Sequence, residues 1–243
     1  MFNIPRAAIN VNDGYYGNHT ISWNVLFNTV RETSDHGPIN TWDRQPFLSD
    51  GRRSGVASLW QHQSFIHHNL LFNNYNSIFP IDHDDGSCFY EDSYNFQIYG
   101  GKKNFLGHSK FDHHEIYVYP DTKRILGTGT CLFDQAPKRG SSGWNETWIQ
   151  NTCVLYSSPI PYNIWNCNTA DLFVPYLADN KIFIPRGKEV EFVCEIDGIS
   201  TTLDLEDWQA FDLDLGTTVQ TAPNMKTIIQ WGRDMLKGTP SLR

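Results

Sequence analysis

An imperfect internal repeat dominates the chain. Ile21-Ser22-Trp23-Asn24-Val25-Leu26-Phe27-Asn28 recurs 45 residues later as Ile66-His67-His68-Asn69-Leu70-Leu71-Phe72-Asn73. Weaker echoes follow at 94–99, 113–119, 150–155 and 179–183, with intervals of 26, 20, 36 and 29 residues after Asn69. Self-similarity on this scale indicates a solenoid or a propeller. A propeller blade needs about 40 residues and a Trp-Asp type of signature, which is absent here. Short β-runs punctuated by Asn, Gly and Asp, with insertions at irregular places, fit a parallel β-helix instead.

In such a fold each coil stacks about 4.8 Å from the last, so equivalent positions form columns. Asn24, Asn69, Asn95, Asn151 and Asn180 align as one column, with Glu115 replacing Asn once. Asn at a tight bend is expected to take the left-handed conformation and to join its neighbours in an amide ladder. Val25/Phe27, Leu70/Phe72 and Phe96/Ile98 are then expected to point inward on alternate positions. Composition supports this reading. Only 19% of residues are charged, against about 25% in ordinary soluble domains, and Asn, Gly, Ser, Thr and Asp supply the polarity instead. That disfavours a helical bundle. A net charge of −8 argues against a nucleic-acid backbone or an anionic membrane as partner, because both need clustered cations. No apolar run approaches the roughly 20 residues of a membrane span.

The Ile-x-x-Asn-Leu-x-Phe-Asn strings, carried by Asn24/Asn28 and Asn69/Asn73, resemble the right-handed parallel β-helix (pectin-lyase-like) superfamily over about residues 9–215. The resemblance implies an all-β right-handed parallel β-helix solenoid acting on carbohydrate, with no subfamily catalytic signature. Coils are expected over 1–180. Residues 181–243 are expected to form the last coil, a hairpin and a helical C-terminal cap. Within them, 182–187 and 189–194 read as an antiparallel hairpin and 203–209 as a capped helical turn. Met225–Leu236 reads as a helix that covers the last coil and blocks edge pairing.

All nine histidines precede Glu115, as do the densest acidic clusters, so the chemistry is expected before about residue 120. Two segments, 34–46 and 79–87, follow the repeat strings at similar intervals, and each holds an Ile just before a polar run. Aligning Ile39 with Ile81 places Asn40 over Asp82, Trp42 over Asp84 and Asp43 over Asp85. If Ile81 points inward, Asp82 and Asp84 point outward together, about 7 Å apart. Such a pair suits acid–base glycoside hydrolysis. Asp82, Asp84, Asp85 and Asp43 are the expected catalytic carboxylates. Trp42 would offer a flat face to a sugar ring and Arg44 a charge-assisted donor to a uronate or sulfate, with His36 and His83 beside them. The same residues admit other readings: Asp84-Asp85-Gly86-Ser87 is ordinary turn chemistry, and Asp82, Asp84 and Asp85 are hard oxygen donors suited to Ca²⁺. No cofactor is required for hydrolysis.

In the basic loop 100–110, Lys103 and Lys110 are expected to approach the Asp cluster. A polysaccharide lyase needs a base and a carboxylate-neutralising cation, roles open to Lys103, Lys110, Arg44 or His108. His67-His68 and His113-His114 recur 46 apart, and in a strand one of each pair would face out. A two-His column is possible, but neither HExxH nor a spaced triad of ligands accompanies it, so support for zinc catalysis is weak.

No leader is visible at the N-terminus, where an Ile9-Asn10-Val11-Asn12 alternation begins almost at once, so the chain reads as a fragment or trimmed form lacking N-terminal coils. The five cysteines are either buried thiols or include a pair of Cys131 with Cys153 or Cys167, which would imply an oxidising compartment. Two sequons, at Asn18 and Asn145, would fit secretion. The expectation is an extracellular protein that recognises and cleaves a polysaccharide, by hydrolysis first and uronate elimination second. The contrasting reading is a non-catalytic carbohydrate-binding or structural solenoid.

Overall fold

A computed structural model describes residues 1–12, 17–42, 62–73, 75, 77, 79–84, 86–122, 129–135, 145–164, 175–196 and 199–237. Three sheets, parallel except at one end, are wound together so that successive strands visit each sheet in turn. The first sheet carries Ile9–Asn12, Ile39–Trp42, Ile81–His83, Lys102–Phe105, Leu132–Gln135, Tyr162–Ile164 and Phe192–Ile196, all parallel. The second runs from Thr20–Ser22 through Ser64–His67, Tyr90–Ser93, Phe111–His113 and Thr147–Ile149 to Tyr176–Ala178. The third runs from Val25–Phe27 through Leu70–Phe72, Phe96–Ile98, Ile116–Val118, Thr152–Val154 and Lys181–Ile184 to Thr218–Thr221. The result is a solenoid-like stack of coils.

Two residues make the corner between the second and third sheets, and the repeat string sits on it. The Asn column forms as a ladder: Asn24 Nδ2 donates to Asn69 Oδ1 at 3.0 Å, Asn69 Nδ2 to Asn95 Oδ1 at 2.8 Å, and Asn95 Nδ2 to Glu115 Oε1 at 2.7 Å. It continues through backbone N–H donation from Glu115 to Asn151 (2.8 Å) and from Asn151 to Asn180 (2.9 Å). The left-handed residue is not the Asn, however, but its predecessor: Trp23, His68, Tyr94, His114, Gln150 and Asp179 have φ between 55° and 59°. That conformation costs a non-glycine residue about 1–2 kcal/mol. The ladder, which satisfies buried amides that would otherwise be orphaned, offsets the strain in every coil.

The ladder also sets the phase of the strands, and here the expectation for Val25/Phe27, Leu70/Phe72 and Phe96/Ile98 is corrected. Because the Asn side chain points inward, the next residue points out and the one after it in. Leu26, Leu71, Gln97, Tyr117, Cys153 and Ile182 therefore form the buried inward column of the third sheet. The apolar residues left on its outer face need a cover, and α2 (Met225–Leu236) supplies part of it. Asn224 caps α2, its side chain accepting from Thr227 N at 3.1 Å. Ile228, Trp231 and Met235 pack on Phe96, Ile116, Val118, Val154 and Phe183. The terminal helix thus lies along the flank of several coils rather than over the last one. The far end of the core is covered instead by Trp208 of α1 (Leu205–Ala210), whose ring stacks on Phe192 at 5.0 Å. The antiparallel hairpin is one step later than expected, pairing Phe192–Ile196 with Ile199–Leu203, because 182–184 are held in the parallel third sheet.

The interior is layered along the stack. Leu26, Ile39, Ile66, Leu71, Ile81 and Tyr90 form an apolar cluster towards one end, and Leu132, Trp148, Tyr162, Ile182, Phe192 and Trp208 belong to another. Between them one coil turns Asp92, Gln97, Lys102 and Asn104 inward, all buried. Cys131 and Cys153 are bonded to each other across 22 residues, while Cys88 is a buried thiol outside that bridge, its Sγ donating to Gly86 O at 3.0 Å. Closing a loop of that length is worth about 3 kcal/mol through the unfolded state. Cys131→Ser is accordingly expected to lower the urea midpoint of the parent to that of the fully reduced chain; a midpoint indifferent to reductant would contradict this.

Candidate functional site

The outer face of the first sheet gathers the acidic and basic residues that the repeat alignment brings together. Ile39 pairs with Ile81, Asn40 with Asp82 and Thr41 with His83, and Asp84 N donates to Thr41 O at 2.8 Å, so Trp42 falls beside Asp84. Ile81 is fully buried and inward, and Asp82 is therefore outward, over Lys103 of the next coil. Lys103 Nζ contacts Asp82 Oδ1 at 2.8 Å and Asp84 Oδ1 at 3.0 Å. Its Nζ also lies 5.9 Å from the Phe79 ring and 5.3 Å from that of Phe105, and Phe79 stacks on Phe133. An ammonium over aromatic faces gains about 0.5–2 kcal/mol. The site is thus a cation between two carboxylates, walled by rings.

The two carboxylates differ in environment. The Asp84 side chain is 21% exposed and that of Asp82 only 3%. Burial pushes the Asp82 carboxyl up to about 6, against the pull of Lys103 and with help from Asp84. Although burial opposes its charge, Asp82 and Asp84 raise Lys103 above the ordinary lysine value, so it stays an ammonium. Asp84 also opens a turn: its carbonyl accepts from Ser87 N at 3.1 Å and Ser87 Oγ at 2.8 Å, with Gly86 at φ 93°. The turn reading and the site reading therefore apply to the same residue. His36 borders the cluster, its Nε2 2.6 Å from Arg6 Nη2. Burial first and Arg6 second lower its proton affinity, while Asp84 and Lys103 act on it in opposite directions. Lys103 bridges Asp82 and Asp84, Asp85 lies outside the described residues, and among the described residues no three His, Cys, Asp or Glu side chains converge as a metal site.

Other expected site residues lie elsewhere. His83 points inward and is fully buried, bonded to Thr41 Oγ1 at 2.7 Å and Asp92 at 2.8 Å, because it alternates with the outward Asp82. Burial pushes its pKa down to about 4. Lys110 does not approach the Asp cluster: it is buried and paired with Glu146 at 2.5 Å. His108 is buried against Phe89, and burial pushes it down to about 4. None of the three is open to a substrate. Asp43, Arg44 and Asp85 lie outside the described residues.

Sequence reasoning missed the polar layer inside the coils. Lys102 is bonded to Asp92 and lies 3.3 Å from Asp112, and Tyr117 Oη donates to Asp112 at 2.9 Å. Burial raises Asp112 to about 7; Asp92 is held at about 2 because Lys102 and His83 outweigh the effect of burial. The one available signal was the Lys102-Lys103 tandem, since adjacent strand residues must face opposite ways. Among the described residues no helix is long and apolar enough to cross a membrane. No family model matches the chain, and no curated protein or solved structure is significantly similar to it, so the chemistry of the site rests on its geometry.

Proposed function

We propose that the chain is a secreted right-handed parallel β-helix protein of the pectin-lyase-like type that hydrolyses a polysaccharide on the outer face of its first sheet. The observation that carries this reading is the shared ammonium: Lys103 binds Asp82 and Asp84 together. Two carboxyls in unequal surroundings divide acid and base roles. Asp82 retains a proton up to about pH 6, and Asp84, the more exposed member, is the carboxyl group open to the sugar. Bridging through Lys103 brings the contacting oxygens within about 6 Å, nearer the retaining than the inverting arrangement. Lys103, held as a cation, is a poor base, which disfavours uronate elimination. It can instead neutralise an acidic sugar, with Trp42 and Phe105 as stacking surfaces.

The burial of Asp82 favours one second reading, a glycan-binding solenoid without turnover. Incubating the chain with neutral and uronate-containing polysaccharides separates the two. Hydrolysis predicts reducing-sugar release that falls about 10²–10⁴-fold in Asp84→Asn and Asp82→Asn, with unchanged melting and activity declining as pH rises through about 6. Retention of a bound polymer with no products in any condition would establish the binding reading, and an ultraviolet-absorbing unsaturated product would establish elimination.

A further inference from the structure

The corner between the second and third sheets carries a feature separate from the Asp82–Lys103 face. In a strand, His67 and His68 would point to opposite sides, as would His113 and His114. The left-handed conformation of His68 (φ 55°) and His114 (φ 56°) instead turns each second ring back beside the first. In both pairs the Nδ1 atoms face one another, 3.0 Å apart in His67–His68 and 2.8 Å apart in His113–His114. The rings of each pair are close to perpendicular. All four are partly exposed, and Tyr94 lies between the pairs, stacked on His68 at 5.1 Å and His114 at 4.9 Å.

Without a ligand, each pair needs one proton between the two nitrogens, since two lone pairs or two N–H groups at that distance repel. The same separation suits another occupant. Imidazole nitrogens about 2.0–2.1 Å from a metal lie about 2.9 Å apart when they subtend 90°, and about 3.3 Å apart at a tetrahedral angle. The observed separations match a right-angled edge, found in tetragonal and octahedral complexes, and among divalent ions of that kind imidazole donors favour copper(II) and nickel(II). A further contact fits this chemistry: His113 Nε2 lies 3.3 Å from Glu91 Oε1. A carboxylate on the outer nitrogen fixes the proton there and leaves Nδ1 as a lone pair, as carboxylates do behind metal-bound histidines.

We propose that His67–His68 and His113–His114 are two chelating sites for a tetragonal divalent transition metal, copper(II) above all, each using two Nδ1 atoms with water completing the shell. The Glu91-backed pair is the tighter site. Trp23, stacked on His68 at 4.5 Å, reports on the other.

The test is titration of the full chain with copper(II) ion alone at pH 7.5, followed by calorimetry and electron paramagnetic resonance. Two ions per chain with nitrogen-rich tetragonal spectra are expected. His68→Asn and His114→Asn, chosen because Asn tolerates the left-handed corner, each weaken one site at least about tenfold, and the double variant weakens both. Glu91→Gln weakens only the second site, by about 10–100-fold. Trp23→Phe abolishes part of the copper-induced fluorescence quenching while stoichiometry stays at two. Retention of two equally tight ions by a folded double variant, or no binding by the parent, overturns the proposal.

Discussion

Lys102→Met is expected to destabilise the chain by about 3–5 kcal/mol. Lys102 is 1% exposed and is bonded to Asp92, with Asp112 at 3.3 Å. Methionine matches its length and apolar stem but removes the only positive charge that faces Asp92 and Asp112 among the described contacts. A buried ion pair adds little net stability, yet removing one partner leaves an uncompensated charge in a low-dielectric interior, and that is the large term. His83 cannot replace the lost cation, since burial holds it neutral down to about pH 4. The double variant Lys102→Met/Asp92→Asn removes both members and is expected to recover most of the loss. Lys103→Met, one residue on but facing outward, should have a smaller effect because water reaches Asp84. Urea unfolding of the four proteins measures the differences. A Lys102→Met midpoint within about 1 kcal/mol of the parent would show that the interior charges are hydrated rather than paired.

That contrast between neighbours also marks what the sequence could and could not reveal. The Asn column was legible because it repeats with its flanking pattern, and the single Glu115 replacement fell where the alignment placed it. The Ile39–Ile81 register was legible for the same reason, and α2 because its Asn cap and helical stripe are local. Strand phase was not. Val25 and Leu26 are both apolar, so alternation offers no contrast; only the inward-pointing Asn decides which of them faces the core. The acidic run at Asp82–Asp84 was recognisable as a local violation of charge sparseness that needed a cation or a proton. Its cation, Lys103, reaches the cluster from the next coil, as expected of the basic loop, but register rather than spacing separates it from Lys110. The inward turn of His83 and the sequestering of Lys110 by Glu146 follow from the same long-range register. The convergence of His67 with His68 needed a left-handed corner residue other than Asn, which no local preference signals.

Stability is also expected to fall as pH rises from 7 to 9, an alkaline sensitivity that originates in the interior. Burial, with neighbouring carboxyls adding to it, raises Glu115 and Asp134 well above the usual carboxylate range. Asp112 rises to about 7 and Asp82 to about 6, also through burial first. A carboxyl whose proton is held more tightly in the folded chain contributes stability that is complete below its unfolded value and is lost as pH rises through the folded one. The histidines act oppositely: His83 and His108, lowered to about 4, cost stability as pH falls from about 6.5 towards 4. The two effects oppose one another between about pH 4 and 7, so the clean window lies above 7, where unfolded histidine is already neutral. There each proton retained only by the folded chain gives a slope of about −1.4 kcal/mol per pH unit. Urea midpoints at pH 7, 8 and 9 should therefore decline, and Asp134→Asn should remove one proton's share of the slope. Glu115→Gln should do the same, since Gln97, whose Oε1 has no hydrogen-bond partner, can turn its amide to accept from the new side chain. Asp82→Asn should leave this slope intact, because Asp82 has already lost its proton by pH 7, even though it abolishes the proposed hydrolysis. A flat profile in the parent would mean that the interior carboxyls ionise in place. A slope flattened by Asp82→Asn would mean instead that the outer face and the polar layer titrate as one network.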